Sequence, residues 1–425
     1  MIENLLAAFR LPDLRKRILF LFGMFAVYAL GLHIPVPGID RGAMERIFSN
    51  SGLLGMLNMF SGGALKKYTI FAMGIAPYIN ASIIMQLLTA ALPQLEALSK
   101  EGEHGRKKIS QYTRYLTIVL GLVQAAGMNK WLQAQGVLHA SPFTFVQIVL
   151  TLSAGTAFLM WVGEQITDKG IGNGVSLIIF AGIAANLGPQ MLQTGELVSS
   201  HSISVIALLV LMGLFLGTIV GIVAIQQAQR KIPIQHVKRV VGNKIYQGSS
   251  SFLPLRVNSA GVIPIIFAIS IQLFPLTLAS FFITNPKYEW LAKLAKDLSP
   301  GATWYAGVIY VGMIIVFTYF YTAITFNVPE IADNLKKYGS FIPGIRPGKP
   351  TLEYLDRVMS RITLAGAVFL SIIAMMQYIA PQLTGITTFS LAGGTSLLIL
   401  VGVALETMQA IEAHLLMRHY EGFIK

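Results

Sequence analysis

ITLAGAVFLSIIAMMQYIAPQLTGITTFSLAGGTSLLILVGVAL, residues 362–405, contains no Asp, Glu, Lys or Arg. A helix needs about 20 apolar residues to cross about 30 Å of hydrocarbon, so this one run is long enough for two crossings. Pro381 and Gly385, and then Gly393-Gly394, interrupt it and put one crossing on either side. Charge-free runs at 18–39, 68–95, 131–163, 170–195, 197–229, 257–286 and 298–329 each hold one more. Residues 115–129 are shorter, but Arg114 and Lys130 can snorkel from the two ends. The pattern predicts an all-α polytopic membrane protein with ten transmembrane helices.

Composition agrees. The chain has 425 residues, 54% hydrophobic and 12% charged, with a mean hydropathy of +0.64. Soluble domains carry about 25% charged residues. That excludes a soluble enzyme, a disordered chain and a coiled coil. There is no Cys, hence no disulfide, thiolate metal site or Cys nucleophile. SNSGLLGMLNMFSGGAL, residues 49–65, is also uncharged, yet its Gly, Ser and Asn content leaves at most about 10–12 helical residues. Such a segment is re-entrant or lodged in a cavity.

Ten crossings put both termini on one side. That side carries 24 Lys and Arg against 8 on the other, which predicts cytoplasmic termini. The first apolar run follows Arg15-Lys16-Arg17 without a convincing cleavage site and is read as a retained span.

The sequence also repeats itself. Gly74-Ile-Ala-Pro77-Tyr-Ile79-Asn-Ala81 and Gly261-Val-Ile-Pro264-Ile-Ile266-Phe-Ala268 both read G-x-x-P-x-I-x-A. Gly174-Val-Ser176-Leu177-Ile178-Ile179 and Gly394-Thr-Ser396-Leu397-Leu398-Ile399 both read G-x-S-L-x-I. Each match lies five spans from its partner. The expected halves are 1–196 (spans 1–5) and 197–425 (spans 6–10). Five is odd, so the halves are inverted with respect to each other. The repeat aligns Ile79 with Ile266 and Ile179 with Ile399. Ile75 and Val175 lie four residues earlier on the same helix faces. An apolar ring of these six side chains would narrow a central pore and seal it by dewetting.

NMFSGGAL (58–65), GIAPYINASI (74–83), KKISQYTRY (107–115), FLMWVGEQITDKGIGNGVS (158–176), VNSAGVIP (257–264) and FIPGIRPG (341–348) resemble the SecY family, the channel subunits of the bacterial Sec protein-translocation complex. The resemblance covers essentially the whole chain. It implies a clam-like fold with an hourglass pore and a lateral gate between spans two and seven. By position, it places the family's pore ring on Ile75, Ile79, Val175, Ile179, Ile266 and Ile399. It places the family's plug on Gly52, Leu53, Leu54, Gly55, Met56, Leu57, Asn58, Met59, Phe60, Ser61, Gly62, Gly63 and Ala64.

Two basic loops are expected in the cytoplasm. Residues 226–256 hold Arg230, Lys231, Lys238, Arg239, Lys244 and Arg256 and no acid, and alternation around Gly242-Asn243 predicts a β-hairpin. In 327–361, Pro343-Gly344-Ile345-Arg346-Pro347-Gly348 fixes a tight turn around one Arg, with little in it to form a core. The resemblance makes Lys238, Arg239, Lys244 and Arg346 docking residues for the SecA motor and for ribosomal RNA, with Asn243 at a tip where the family often has Arg. It also implies the partners SecE and SecG. The substrates it implies are unfolded preproteins with signal peptides, and membrane segments released sideways into the lipid bilayer.

The chain shows no energy source. Gly344-x-x-x-Gly348-Lys349-Pro350 has the wrong spacing for a phosphate-binding loop, Gly174-Val-Ser176 is not a nucleophile elbow, and the seven His lack metal spacing. No enzyme activity and no cofactor are expected. The competing reading is a secondary transporter with inverted repeats, which would need ionisable groups near the midplane. The one plausible buried acid is Glu406, toward the cytoplasmic end of span ten.

Overall fold

A computed structural model of the chain describes residues 9, 11–40, 42–44, 58, 61–200, 204–236, 239–241, 244–246, 250–279, 290, 293–294, 297–298, 302–386 and 394–421. Of these, 239–241, 244–246, 250, 273–274, 276–279 and 417–421 are described by backbone alone. A helix stands in each expected span: α1 (Pro12–Gly31), α2 (Ala76–Ala91), α4 (Glu103–Ala134), α5 (Pro142–Lys169), α6 (Gly174–Ser199), α7 (Val205–Gln227), α8 (Ile263–Ala279), α9 (Trp304–Thr325), α11 (Lys349–Thr384) and α12 (Thr395–Glu421). Shorter helices lie between them, among them α3 (Pro93–Lys100) and α10 (Val328–Lys337), and a single turn at Ala64–Lys67. Among the described residues, six helices are long and apolar enough to cross a membrane. A seventh counts if α2 and α3, bent by 99°, form one broken span.

Two expected boundaries moved. The run 115–129 lies inside a 32-residue helix, because EHGRKK continues α4 outward as helix. The run 131–163 includes the end of α4 and a loop, and its helix starts only at Pro142. There the Ser141 hydroxyl caps the Thr144 N–H at 3.3 Å. Absence of charge marks what the bilayer tolerates, not where a helix begins.

Polar residues inside the spans satisfy themselves locally. The buried hydroxyls of Thr117, Ser153, Thr218, Thr318 and Ser371 donate to the carbonyl four residues back at 2.6–2.8 Å. Helix α7 buries only Leu211, Thr218 and Ile222 and leaves Ile206, Leu209 and Val220 outward, as a lipid-facing helix does.

The chain divides into two compact units. The first comprises Met1–Ser202, Ser270–Thr303 and Ile399–Lys425; the second comprises Ile203–Ile269 and Trp304–Leu398. In the first, α2 packs on α4, α4 on α5 and α5 on α6. A core at one end joins Val36, Leu65, Tyr68, Ala125, Leu132, Leu138, Ile148 and Leu152. There the loops are tied by isolated β-bridges, Pro35 to Thr69 and Ile39 to Leu138. A smaller core holds Leu14, Ile18, Ile171 and Ile411, where the Arg17 guanidinium donates to the Gly170 carbonyl at 3.1 Å.

In the second unit α9 packs on α11. Strands β1 (Gln229–His236), β4 (Ser250–Arg256) and β5 (Ser340–Phe341) form one antiparallel sheet in the order β4-β1-β5. β2 (Arg239–Val241) and β3 (Lys244–Tyr246) form a separate pair around Gly242-Asn243, so the strands of the expected hairpin are present.

Candidate functional site

The two copies of the G-x-x-P motif have matching local geometry. Gly74 and Gly261 both take positive φ, 56° and 64°. Each lies two residues before a helix start, Ala76 or Ile263, and Pro77 and Pro264 each occupy the second helical position. Pro is favoured there because the first N–H groups of a helix lack intrahelical partners anyway. Ile79 and Ile266 are therefore both the fourth residue of their helices. In the other pair, Gly174 opens α6 and Gly394 immediately precedes α12. A Cβ on Gly174 would sit 1.8 Å from the Gly163 carbonyl oxygen, and one on Gly394 would sit 2.8 Å from the Ile373 carbonyl oxygen. Each glycine lets a helix start press on the backbone of the helix before it. The Gln377 side-chain oxygen accepts from the Thr395 hydroxyl at 2.8 Å and fastens the start of α12 to α11. On α6, the Asn173 side chain caps the Val175 and Ser176 N–H groups at 3.1 and 3.2 Å.

A contrast between two glycines of α6 tests this. Gly174→Ala is expected to lose about 1 kcal/mol or more, seen as a lower unfolding midpoint in detergent. Gly188→Ala, with open space around its Cβ, is expected to match or slightly exceed the parent.

All six ring positions are described. Ile75 is the N-cap of α2 and is buried; Ile79, one turn on, is half-buried. Val175 is half-buried and Ile179 buried, one turn apart on α6. Ile399 is buried on α12, and Ile266 half-buried on α8. Ile75, Ile79, Val175, Ile179 and Ile399 belong to the first unit, and Ile266 to the second. Each lies within two turns of a helix start.

Of the expected plug, Gly52, Leu53, Leu54, Gly55, Met56, Leu57, Met59 and Phe60 lie outside the described residues. Its other end, Asn58 and Ser61–Ala64, is folded into the first unit. The Ser61 hydroxyl donates to the Asn58 carbonyl at 3.0 Å and accepts from the Leu65 N–H at 3.1 Å. Ala64 is fully buried.

The two basic loops share one sheet. β1 pairs with β5 at Gln235–Phe341 and His236–Ser340. The His236 ring is bonded to the Ser340 hydroxyl at 2.7 Å and the Ser251 hydroxyl at 3.3 Å. The sheet, α10 and α11 enclose a core of Ile232, Leu255, Ile342, Leu355 and Met359. Ile345 packs against it, so the turn at 343–348 does contribute to a core, contrary to the expectation from its Pro and Gly content. The reason is tertiary: one apolar side chain suffices once a neighbouring sheet offers a surface. Arg346, next to it, is exposed, and its carbonyl accepts from the Thr351 hydroxyl at 2.9 Å. Lys238 lies outside the described residues, and Arg239 and Lys244 are placed by backbone alone in β2 and β3.

Among the described residues no group of His, Asp and Glu could hold a metal ion. Glu406, expected to be buried, is exposed. Glu164 near the end of α5 pairs with Arg114 of α4 at 2.6 Å. Sequence reasoning missed that pair; charges at 114 and 164 carry no spacing signal across two helices.

A family model described as SecY matches residues 69–408. The protein translocase subunit SecY of Streptomyces scabiei is 45% identical, over 98% of each chain. A solved structure concerning the plug domain of the SecY protein, the closed state of the translocation channel and the membrane seal is 20% identical. It aligns with a TM-score of 0.66 over 94% of this chain and 92% of that one. Sec61 in the canine ribosome–channel complex is 18% identical with a TM-score of 0.63, over 94% of this chain and 92% of that one.

Proposed function

The chain belongs to the SecY family, and from that premise we propose how its parts work. It is the multi-pass, pore-forming subunit of a protein-conducting channel and not an enzyme. The observation that carries this reading is a set of apolar side chains at equivalent positions of repeated, glycine-broken helix starts. Such a constriction offers no fixed charge to hold a small polar solute, yet lets varied side chains slide past. The transporter reading would need a buried ionisable group near the midplane; Glu406 is exposed, and Glu164, near the end of α5, is neutralised by Arg114.

In this reading Ile75, Ile79, Val175, Ile179, Ile266 and Ile399 form the pore ring, and 1–196 and 197–425 are the two inverted halves. Residues 52–64 are the plug. The termini and the sheet β4-β1-β5 lie on the cytoplasmic side of the cytoplasmic (inner) membrane. Arg346, with Lys238, Arg239 and Lys244, docks the SecA motor or ribosomal RNA through carboxylate or phosphate pairing. SecE and SecG complete the complex. The relative solved in a ribosome–channel complex supports the ribosome contact.

Liposomes carrying the purified chain test the whole reading. Import of a secretory preprotein is expected only when SecE, SecA and ATP are all added. Uptake of a small solute against its gradient, with no preprotein import, would favour the transporter. For the plug, deleting Gly52–Leu57 is expected to leave membrane insertion intact and raise resting ion conductance, while preprotein import persists. Loss of insertion would make the segment structural.

A further inference from the structure

Residues Asn58 and Ser61–Thr69 form a knot. The Asn58 side-chain oxygen accepts from the Lys66 N–H at 2.7 Å, and its carbonyl accepts from the Gly63 N–H at 2.9 Å. The Ala64 carbonyl accepts from the Thr69 N–H at 3.0 Å. The knot is joined to the loop after α1, where the Val36 N–H donates to the Tyr68 carbonyl and the Ile70 N–H to the Ile34 carbonyl, both at 3.0 Å.

Tyr68 is the pivot. It is the one described non-glycine residue with positive φ, 46°, a conformation that side chains disfavour and that persists only where the surroundings impose it. It is also among the most buried large side chains, at 1% exposed. Its hydroxyl donates to the side-chain oxygen of Asn129 on α4. Asn129 is 0% exposed, and its amide nitrogen has no hydrogen-bond partner among the described residues. If packing alone mattered here, Phe and Leu would fill the space without burying a half-satisfied amide.

We infer that the Tyr68–Asn129 pair is the fixed root of the plug: it sets the resting position of Asn58 and Ser61–Leu65 and thereby how tightly the idle channel is closed. The inference rests on the reading of 52–64 as the plug. Its physical content is a single buried contact, 61 residues apart in sequence, that holds a disfavoured backbone in place. Without the contact, the backbone preference of Tyr68 pulls the knot out of its seat.

The test uses the full-length chain in liposomes, with no preprotein present. Resting ion conductance is compared for the parent, Tyr68→Phe, Asn129→Leu, the double variant, and the deletion of Gly52–Leu57. The chain has no Cys, so Ala64→Cys supplies a single thiol at a fully buried site of the knot. Its rate of reaction with a membrane-impermeant maleimide reports lifting independently of conductance. Tyr68→Phe and Asn129→Leu are each expected to raise conductance and labelling rate about tenfold, the factor equivalent to ~1.4 kcal/mol. The double variant is expected to leak and label about as much as either single variant, because one substitution already removes the contact and the second has nothing further to break. If both single variants match the parent while the deletion conducts, the root is elsewhere and the plug reading stands. If the deletion is as tight as the parent, the plug reading falls and this inference with it. A double variant as tight as the parent would show that an unpaired buried group, not loss of the contact, loosens the knot, and would also overturn the pair.

Discussion

Arg346→Glu is expected to abolish most SecA-driven preprotein import while leaving protein level and resting conductance unchanged. The turn that carries Arg346 is clamped from beneath. Ile342 is buried and Ile345 packs in the same core. The Gly348 carbonyl accepts from the Thr351 and Leu352 N–H groups at 3.0 and 3.1 Å. On this base the Arg346 side chain is exposed and its backbone is held by the Thr351 hydroxyl, so little backbone entropy is lost when it docks. If its guanidinium pairs with a carboxylate or phosphate on the driver, reversing its charge costs about 2–5 kcal/mol at a desolvated contact. Arg346→Lys should retain part of the import, since Lys lacks the planar fork. Lys293→Glu, expected on the opposite side of the membrane, serves as the control and should do little. Equal import by Arg346→Glu and the parent would reduce the turn to a connector.

The second large effect is expected at the ring. Ile79→Asn and Ile266→Asn each place an amide at the fourth position of a helix that opens with the G-x-x-P motif. An amide holds water where a methyl group repels it, and stripping that water costs about 1–3 kcal/mol. A gate balanced within a few kcal/mol shifts on that scale. Both variants should leak ions at rest and accept preproteins with defective signal sequences. Because Ile79 and Ile266 are equivalent in the repeat, the two should behave alike. Unchanged conductance and unchanged signal stringency in both would remove these residues from the pore.

The amino-acid sequence by itself determined the apolar runs, the repeated motifs and the alignment of Ile79 with Ile266 and of Ile179 with Ile399. Each of these is a local property. A helix in hydrocarbon satisfies its backbone within the segment, so absence of charge, Pro at the second helical position and Gly before it are enough to find it. Helix ends outside the hydrocarbon were less legible, and α4 continues through charged residues that the bilayer criterion had to reject. Only the tertiary structure decided how the pieces outside the spans are held. It joined His236 to Ser340 across 104 residues, merging two basic loops into one sheet. It gave Ile345 a core to pack on, and it tied Tyr68 to Asn129. In water the backbone can bond to solvent as well as to itself, so strand partners and buried polar pairs are chosen by which distant surfaces meet. A single sequence carries no periodicity for that choice.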